Sequence, residues 1–125
     1  MTTVMRVLIV DDERMTVELA ARALRSVCSV DTALNMADAR IFLRERGPYA
    51  MVLADLRLPD GSGLDLLMEV AGTATRPTHL VLMTGTILSA DEEQRIREAG
   101  IALLGKPFAR PHLLALLPSS HPHHG

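Results

Sequence analysis

The chain has no tryptophan, one tyrosine and two phenylalanines among its 125 residues. With 2% aromatic against 48% hydrophobic residues, its core has to be built from Leu, Val, Ile, Ala and Met, an aliphatic α/β composition. A single cysteine, Cys28, excludes an internal disulfide, and no basic N-terminal stretch leading into a long apolar run marks a secretion signal or a membrane span. A reducing, cytoplasmic setting without membrane attachment is the expectation. An excess of charge of either sign is lacking as well. The 13 basic and 15 acidic residues leave a net charge of −2 and are spread along the chain, so no electropositive footprint supports direct nucleic-acid binding. The length suits one domain, expected over residues 1–118. The closing "PSSHPHHG" is small, polar and histidine-rich, and reads as a loose tail over 119–125.

What is present begins at "VLIVDDE", Val7 to Glu13, where four apolar residues run into three consecutive carboxylates. Val4 to Val10 has the pattern of a strand covered on both faces. From Glu13 to Val27, Met15, Leu19, Ala23 and Val27 recur every four positions and predict the apolar face of a helix. Cys28 to Ala33 is a second strand, and Met36, Ala39, Ile41 and Leu43 lie on a helix that Gly47 and Pro48 terminate. Tyr49 to Ala54 is a third strand, followed by Asp55, the turn "PDGSG" and a helix reaching about Ala71. His79 to Met83 makes a fourth strand. Ser89 and Glu92 have capping-box spacing ahead of a helix ending near Gly100. Ile101 to Leu104 is a fifth strand, and Pro111 opens a last helix of about two turns. Five βα units with short connections predict a parallel sheet with helices on both faces, whose ligands bind beyond the carboxyl ends of the strands.

The residues that follow the strands are Asp11 and Asp12 after the first, Asp55 after the third, Thr84 after the fourth and Lys106 after the fifth. Each has an ordinary explanation: a helix cap, a loop acid, a turn hydroxyl, a surface lysine. Together they pose a charge problem. Two carboxylates 4 to 5 Å apart repel by roughly 4 kcal/mol at an effective dielectric near 20, and three would share this pocket. Lys106 supplies one positive charge, and a hard divalent ion bound through oxygen supplies two more. Mg²⁺ fits, because it accepts carboxylate, carbonyl and water oxygens and leaves positions for phosphate. A carboxylate nucleophile, a lysine, a hydroxyl and a metal meet the needs of phosphoryl transfer, with Asp55 as the nucleophile.

The ordered set "VLIVDDE", "MVLADLRLPDGSGLDLL", "LVLMTG" and "GKPF" resembles the receiver domain of bacterial two-component response regulators, from about Val4 to Leu117. The resemblance implies a flavodoxin-like (βα)5 fold, a doubly wound five-stranded parallel sheet of order 2-1-3-4-5. It implies that Asp55 accepts a phosphoryl group from a sensor histidine kinase or histidine phosphotransfer protein. Asp12, Asp55 and the backbone carbonyl of Arg57 would hold Mg²⁺ with help from Asp11, and Lys106 and Thr84 would engage the phosphoryl oxygens. The Lys106–Pro107 bond is expected to be cis, and Gly85 to leave room for the phosphate. Three positions before the lysine, where the family carries a switching aromatic residue, this chain has Leu103. Arg57, two residues past the phosphoacceptor, is expected to slow loss of the phosphoryl group.

With no effector domain expected after residue 118, the output is expected through contact with a downstream protein or through passing the phosphoryl group onward in a relay. The apolar run "LLALL" of the last helix allows two readings, burial against the sheet or a homodimer face shared by the fourth and fifth helices. His112, His121, His123 and His124 are read as residues of a solvated tail rather than metal ligands. Two other functions use the same residues. One is an aspartate-nucleophile phosphohydrolase, which would want an acid where Arg57 stands. The other is a phosphate-independent binding module on the same fold.

Overall fold

The computed structural model describes residues 5–117. The expected tail, with His121, His123 and His124, lies outside the described residues. The elements run β1 (Arg6–Val10), α1 (Arg14–Arg25), β2 (Ser29–Ala33), α2 (Met36–Arg46), β3 (Met51–Asp55), the hairpin strands β4 (Arg57–Leu58) and β5 (Gly61–Ser62), α3 (Gly63–Ala71), β6 (His79–Thr84), α4 (Ala90–Ala99), β7 (Ala102–Gly105) and α5 (Arg110–Ala115). The main sheet has the order β2-β1-β3-β6-β7, all parallel. Once the small hairpin is set aside, this is the expected 2-1-3-4-5 flavodoxin-like order.

The strand cores are apolar on both sides because both are covered. Leu8, Val10, Val52, Ala54, Leu80 and Leu82 face α2, α3 and α4, while Val7, Ile9, Met51, Leu53, Val81 and Met83 face α1 and α5. Alternate residues thus enter two separate aliphatic cores, which is why the strands read as continuous hydrophobic runs.

Local signals fix several ends. Ser89 and Glu92 form the capping box, each side chain bonding the other's backbone N–H at 3.1 and 2.8 Å. Gly100 closes α4 in the left-handed conformation, with φ 68°. The start of α2 is capped twice. Asn35 accepts from Asp38 N, and Asp60, from the β4–β5 turn, accepts from Met36 N at 2.8 Å and Ala37 N at 3.0 Å.

Three expectations need correction. On α1 the buried residues are Val17, Ala20, Ala21, Ala23 and Leu24, whereas Met15 is 74% exposed, Leu19 61% and Val27 52%. A strict four-residue spacing advances 400° per step, so a stripe drawn that way drifts off one face. The true stripe follows positions 17, 20, 21 and 24, and much of it is alanine. His112 is not a tail residue but lies in α5, where its Nδ1 accepts from Ala109 N at 3.0 Å. That helix is also shorter than two full turns, with Pro111 at its second residue. Of the "LLALL" run, Leu113 is buried, and Leu114, Leu116 and Leu117 pack partly against the α1-side core. This packing is the burial against the sheet that one of the two readings expects.

Candidate functional site

The sheet delivers its strand ends to one edge. Asp11 follows β1, Asp55 closes β3, and Thr84 closes β6 one residue beyond Met83, the register partner of Asp55. Lys106 follows β7, and its backbone N–H donates to the Thr84 carbonyl at 2.9 Å, tying the last two strand ends together. Asp11, Asp12 and Asp55 each offer a carboxylate oxygen within 4.8 Å of the others. The ammonium of Lys106 lies 2.7 Å from Asp11 Oδ2 and 2.8 Å from Asp55 Oδ1.

Burial differs sharply within the cluster. Asp11 is wholly buried, and both its oxygens are occupied: Oδ1 accepts from Glu13 N at 3.0 Å and Oδ2 from Lys106. Asp55 is partly buried, and its second oxygen accepts from Arg57 N at 3.2 Å. Asp12 is exposed and looks onto solvent. Burial pushes the Asp55 carboxyl above the usual range. The Lys106 hydrogen bond pulls it back, and the neighbouring charge of Asp11 adds to the rise. For Lys106, burial pulls the ammonium down, but the hydrogen bonds and charges of Asp11 and Asp55 outweigh it, so its pKa is raised.

Three carboxylates and one ammonium within this cluster leave two negative charges uncompensated. All the donors are hard oxygens, which suits a small divalent cation that retains water ligands, Mg²⁺ above all. The residues present therefore fit the ion that the sequence implied.

Around the cluster, the Lys106–Pro107 bond is cis as expected, and so is Gly47–Pro48. The Thr84 hydroxyl accepts from Thr86 N and lies 3.1 Å from the Thr86 hydroxyl, so it is engaged by its own loop. A Cβ on Gly85 would lie 3.5 Å from Lys106 Cβ, an ordinary contact. The Arg57 side chain is exposed. Leu103 is 49% exposed on the edge strand, facing away from the α1-side core that takes Ala102 and Leu104.

Two positions of consequence are absent from the sequence reading. Gly63 lies so close to the end of β3 that a Cβ there would sit 1.9 Å from the Asp55 carbonyl oxygen. The second glycine of "DGSG" is the only trace of this in the sequence. Asp60 ties the loop that follows Asp55 to α2 across 24 residues, and nothing local signals it.

Comparison with known proteins agrees with this arrangement. A family model described as the response regulator receiver domain matches residues 7–118. The aerobic respiration control sensor protein ArcB of Escherichia coli is 31% identical over 116 residues, covering 90% of this chain and 15% of that protein. The acid tolerance regulatory protein ActR of Rhizobium meliloti is 32% identical over 111 residues, covering 88% of this chain and 56% of that protein. The chain thus spans only part of the length of these relatives. Among solved structures, the chemotaxis response regulator CheY4 of Vibrio cholerae superposes with a TM-score of 0.79 at 22% identity, covering 90% of this chain and 95% of that one, a likeness of fold.

Proposed function

The chain belongs to the response regulator receiver domain family, and from that membership we propose that it is a phosphorylation switch in which Asp55 accepts a phosphoryl group from a phosphohistidine. The observation that carries this reading is the set of three carboxylates within 4.8 Å, two of them bridged by one lysine at 2.7 and 2.8 Å. In the transfer, a carboxylate oxygen of Asp55 forms the new bond to phosphorus as the nitrogen–phosphorus bond of the donor breaks, and the leaving imidazole takes up a proton. Asp11, Asp12, Asp55 and the Arg57 carbonyl would hold Mg²⁺. When bound, that ion neutralises the charge building on the phosphoryl oxygens.

The rest is done by this chain. Lys106 offers an ammonium already fixed beside Asp55, ready to bind a phosphoryl oxygen without reorganisation. Thr84, released from Thr86, hydrogen-bonds another oxygen and draws its loop inward. The state of that loop, of α4 and of Leu103 then carries the signal to a downstream protein. Arg57, exposed two residues past Asp55, shields the product from water, and an unchanged phosphoryl lifetime in Arg57→Ala removes it from this account.

A donor surface is at hand. Leu19, exposed, stands with Pro107 and Phe108 around a cavity of about 270 Å³ that includes Lys106, and the exposed Met15 lies with Leu19 along the adjoining face of α1. Apolar surface of this kind beside the phosphoacceptor suits docking of a sensor kinase or histidine phosphotransfer protein. A phosphohydrolase is the weaker reading, since the place two residues after the nucleophile holds Arg57 rather than an acid. Incubation with acetyl phosphate and Mg²⁺ followed by intact mass measurement tests the proposal. One added phosphoryl group, absent in Asp55→Asn, supports it, whereas an unchanged mass, or repeated turnover of small phosphomonoesters, counts against it.

A further inference from the structure

At the end of the sheet opposite the carboxylates, a cavity of about 370 Å³ opens between the C-terminal halves of α2 and α3 and the loops that enter β3 and β6. Its apolar lining comes chiefly from Leu43, Tyr49, Val70 and Pro77. Tyr49, Val70 and Pro77 are buried parts of the fold, so the wall is pre-formed. The Tyr49 hydroxyl is committed elsewhere, donating to Asp31 Oδ2 at 2.6 Å, which leaves the ring as its contribution to the cavity. The Thr73 hydroxyl is likewise spent, donating to the Val70 carbonyl at 2.8 Å.

The charge at the mouth is uneven. Arg40 closes on Glu69 with two parallel hydrogen bonds of 3.0 and 2.9 Å, and those two charges cancel. One helical turn further along the same face, Arg44 also lines the cavity and has no carboxylate partner among the described residues. Apolar walls with one uncompensated guanidinium select an apolar body bearing a single carboxylate. Burial of the body drives binding, and the guanidinium fixes the acid through a charge-assisted pair. A volume near the lower end of the roughly 300 to 1,000 Å³ usual for ligand sites restricts that body to something small.

We propose that the cavity between α2 and α3 is a second binding site, for a small aromatic or branched monocarboxylate whose apolar part lies against Leu43, Tyr49, Val70 and Pro77 and whose carboxylate pairs with Arg44. The site is independent of the phosphoacceptor and shares no residue with it.

The test is titration of the ¹⁵N-labelled full chain with phenylacetate and, as its uncharged counterpart, phenylacetamide, followed by amide chemical shifts. Phenylacetate gives saturable shifts centred on Leu43, Tyr49, Val70 and Thr73. Phenylacetamide binds more weakly, and Arg44→Gln weakens phenylacetate by about three- to five-fold, the upper range for an exposed ion pair, while leaving phenylacetamide unchanged. Arg44 is exposed, so the variant keeps the fold, which its own spectrum verifies. Shifts that do not saturate, that centre elsewhere, or that are the same for both compounds or for both proteins overturn the proposal.

Discussion

The ammonium of Lys106 lies 2.7 Å from Asp11 Oδ2, a contact between residues 95 positions apart that joins the end of the interior strand β1 to the end of the edge strand β7. Asp11 is wholly buried, so this contact is what makes its charge tolerable. Removing one member of a buried pair costs about 3 to 5 kcal/mol, and the partial exposure of Lys106 lowers the expectation for Lys106→Met to about 2 kcal/mol. Urea denaturation at neutral pH measures it, and a variant as stable as the parent contradicts the role given to the pair.

Asp12 sits in the same cluster with nothing to offset it. At 4.8 Å and an effective dielectric near 20 each carboxylate pair repels by roughly 3 kcal/mol, which the exposure of Asp12 reduces to about 1 kcal/mol. Asp12→Asn is therefore expected to raise the melting temperature in the presence of a chelator. The same variant should lose the further rise that added Mg²⁺ gives the parent protein. Thermal melts with EDTA and with Mg²⁺ read both effects, and a destabilised variant or an undiminished Mg²⁺ response counts against a shared ion.

Two glycines near the site make opposite predictions. Gly63→Ala drives a Cβ to 1.9 Å from the Asp55 carbonyl oxygen and must displace the end of β3, so a loss of about 3 kcal/mol is expected along with slower phosphorylation. Gly85→Ala places its methyl group 3.5 Å from Lys106 Cβ and should change stability by no more than about 0.5 kcal/mol. Denaturation of the two variants side by side checks the contrast.

Asp60 predicts a pH dependence. The backbone N–H of Met36, and then that of Ala37, hold its carboxyl below the usual carboxylate range. A depressed folded-state pKa gives stability that is fully present above the unfolded value of about 3.9 and is lost as pH falls through the folded value. The melting temperature of Asp60→Ala should lie below that of the parent at neutral pH, and the gap should close in acid below that value. A gap that persists unchanged to low pH removes the charge from the explanation and leaves only packing.

The sequence made the parallel sheet and the composition of the carboxylate edge legible, because parallel strands covered on both faces announce themselves as unbroken apolar runs and their ends point one way, whereas the strand order came only with the resemblance to the receiver family. Asp11, Asp12, Asp55 and Lys106 follow from that rule alone. The face of α1 was not legible from Met15, Leu19 and Val27, because small alanines fill the buried stripe and leave the larger apolar residues in solvent. That exposure turns three supposed core residues into surface, one of which, Leu19, shares a cavity with Lys106. The capping of α2 by Asp60 and the contact of Gly63 with Asp55 are tertiary, set by how the β4–β5 hairpin folds back, and spacing along the chain does not encode them.

The central claim is that Asp55, and neither Asp11 nor Asp12, carries the phosphoryl group. Treatment with acetyl phosphate and Mg²⁺, reduction of the acyl phosphate with borohydride and peptide mass spectrometry read the acceptor position directly, since a reduced aspartyl phosphate becomes homoserine. The account predicts homoserine at position 55 and nowhere else. Homoserine at 11 or 12, or its absence from a protein shown to be folded and bound to Mg²⁺, contradicts it.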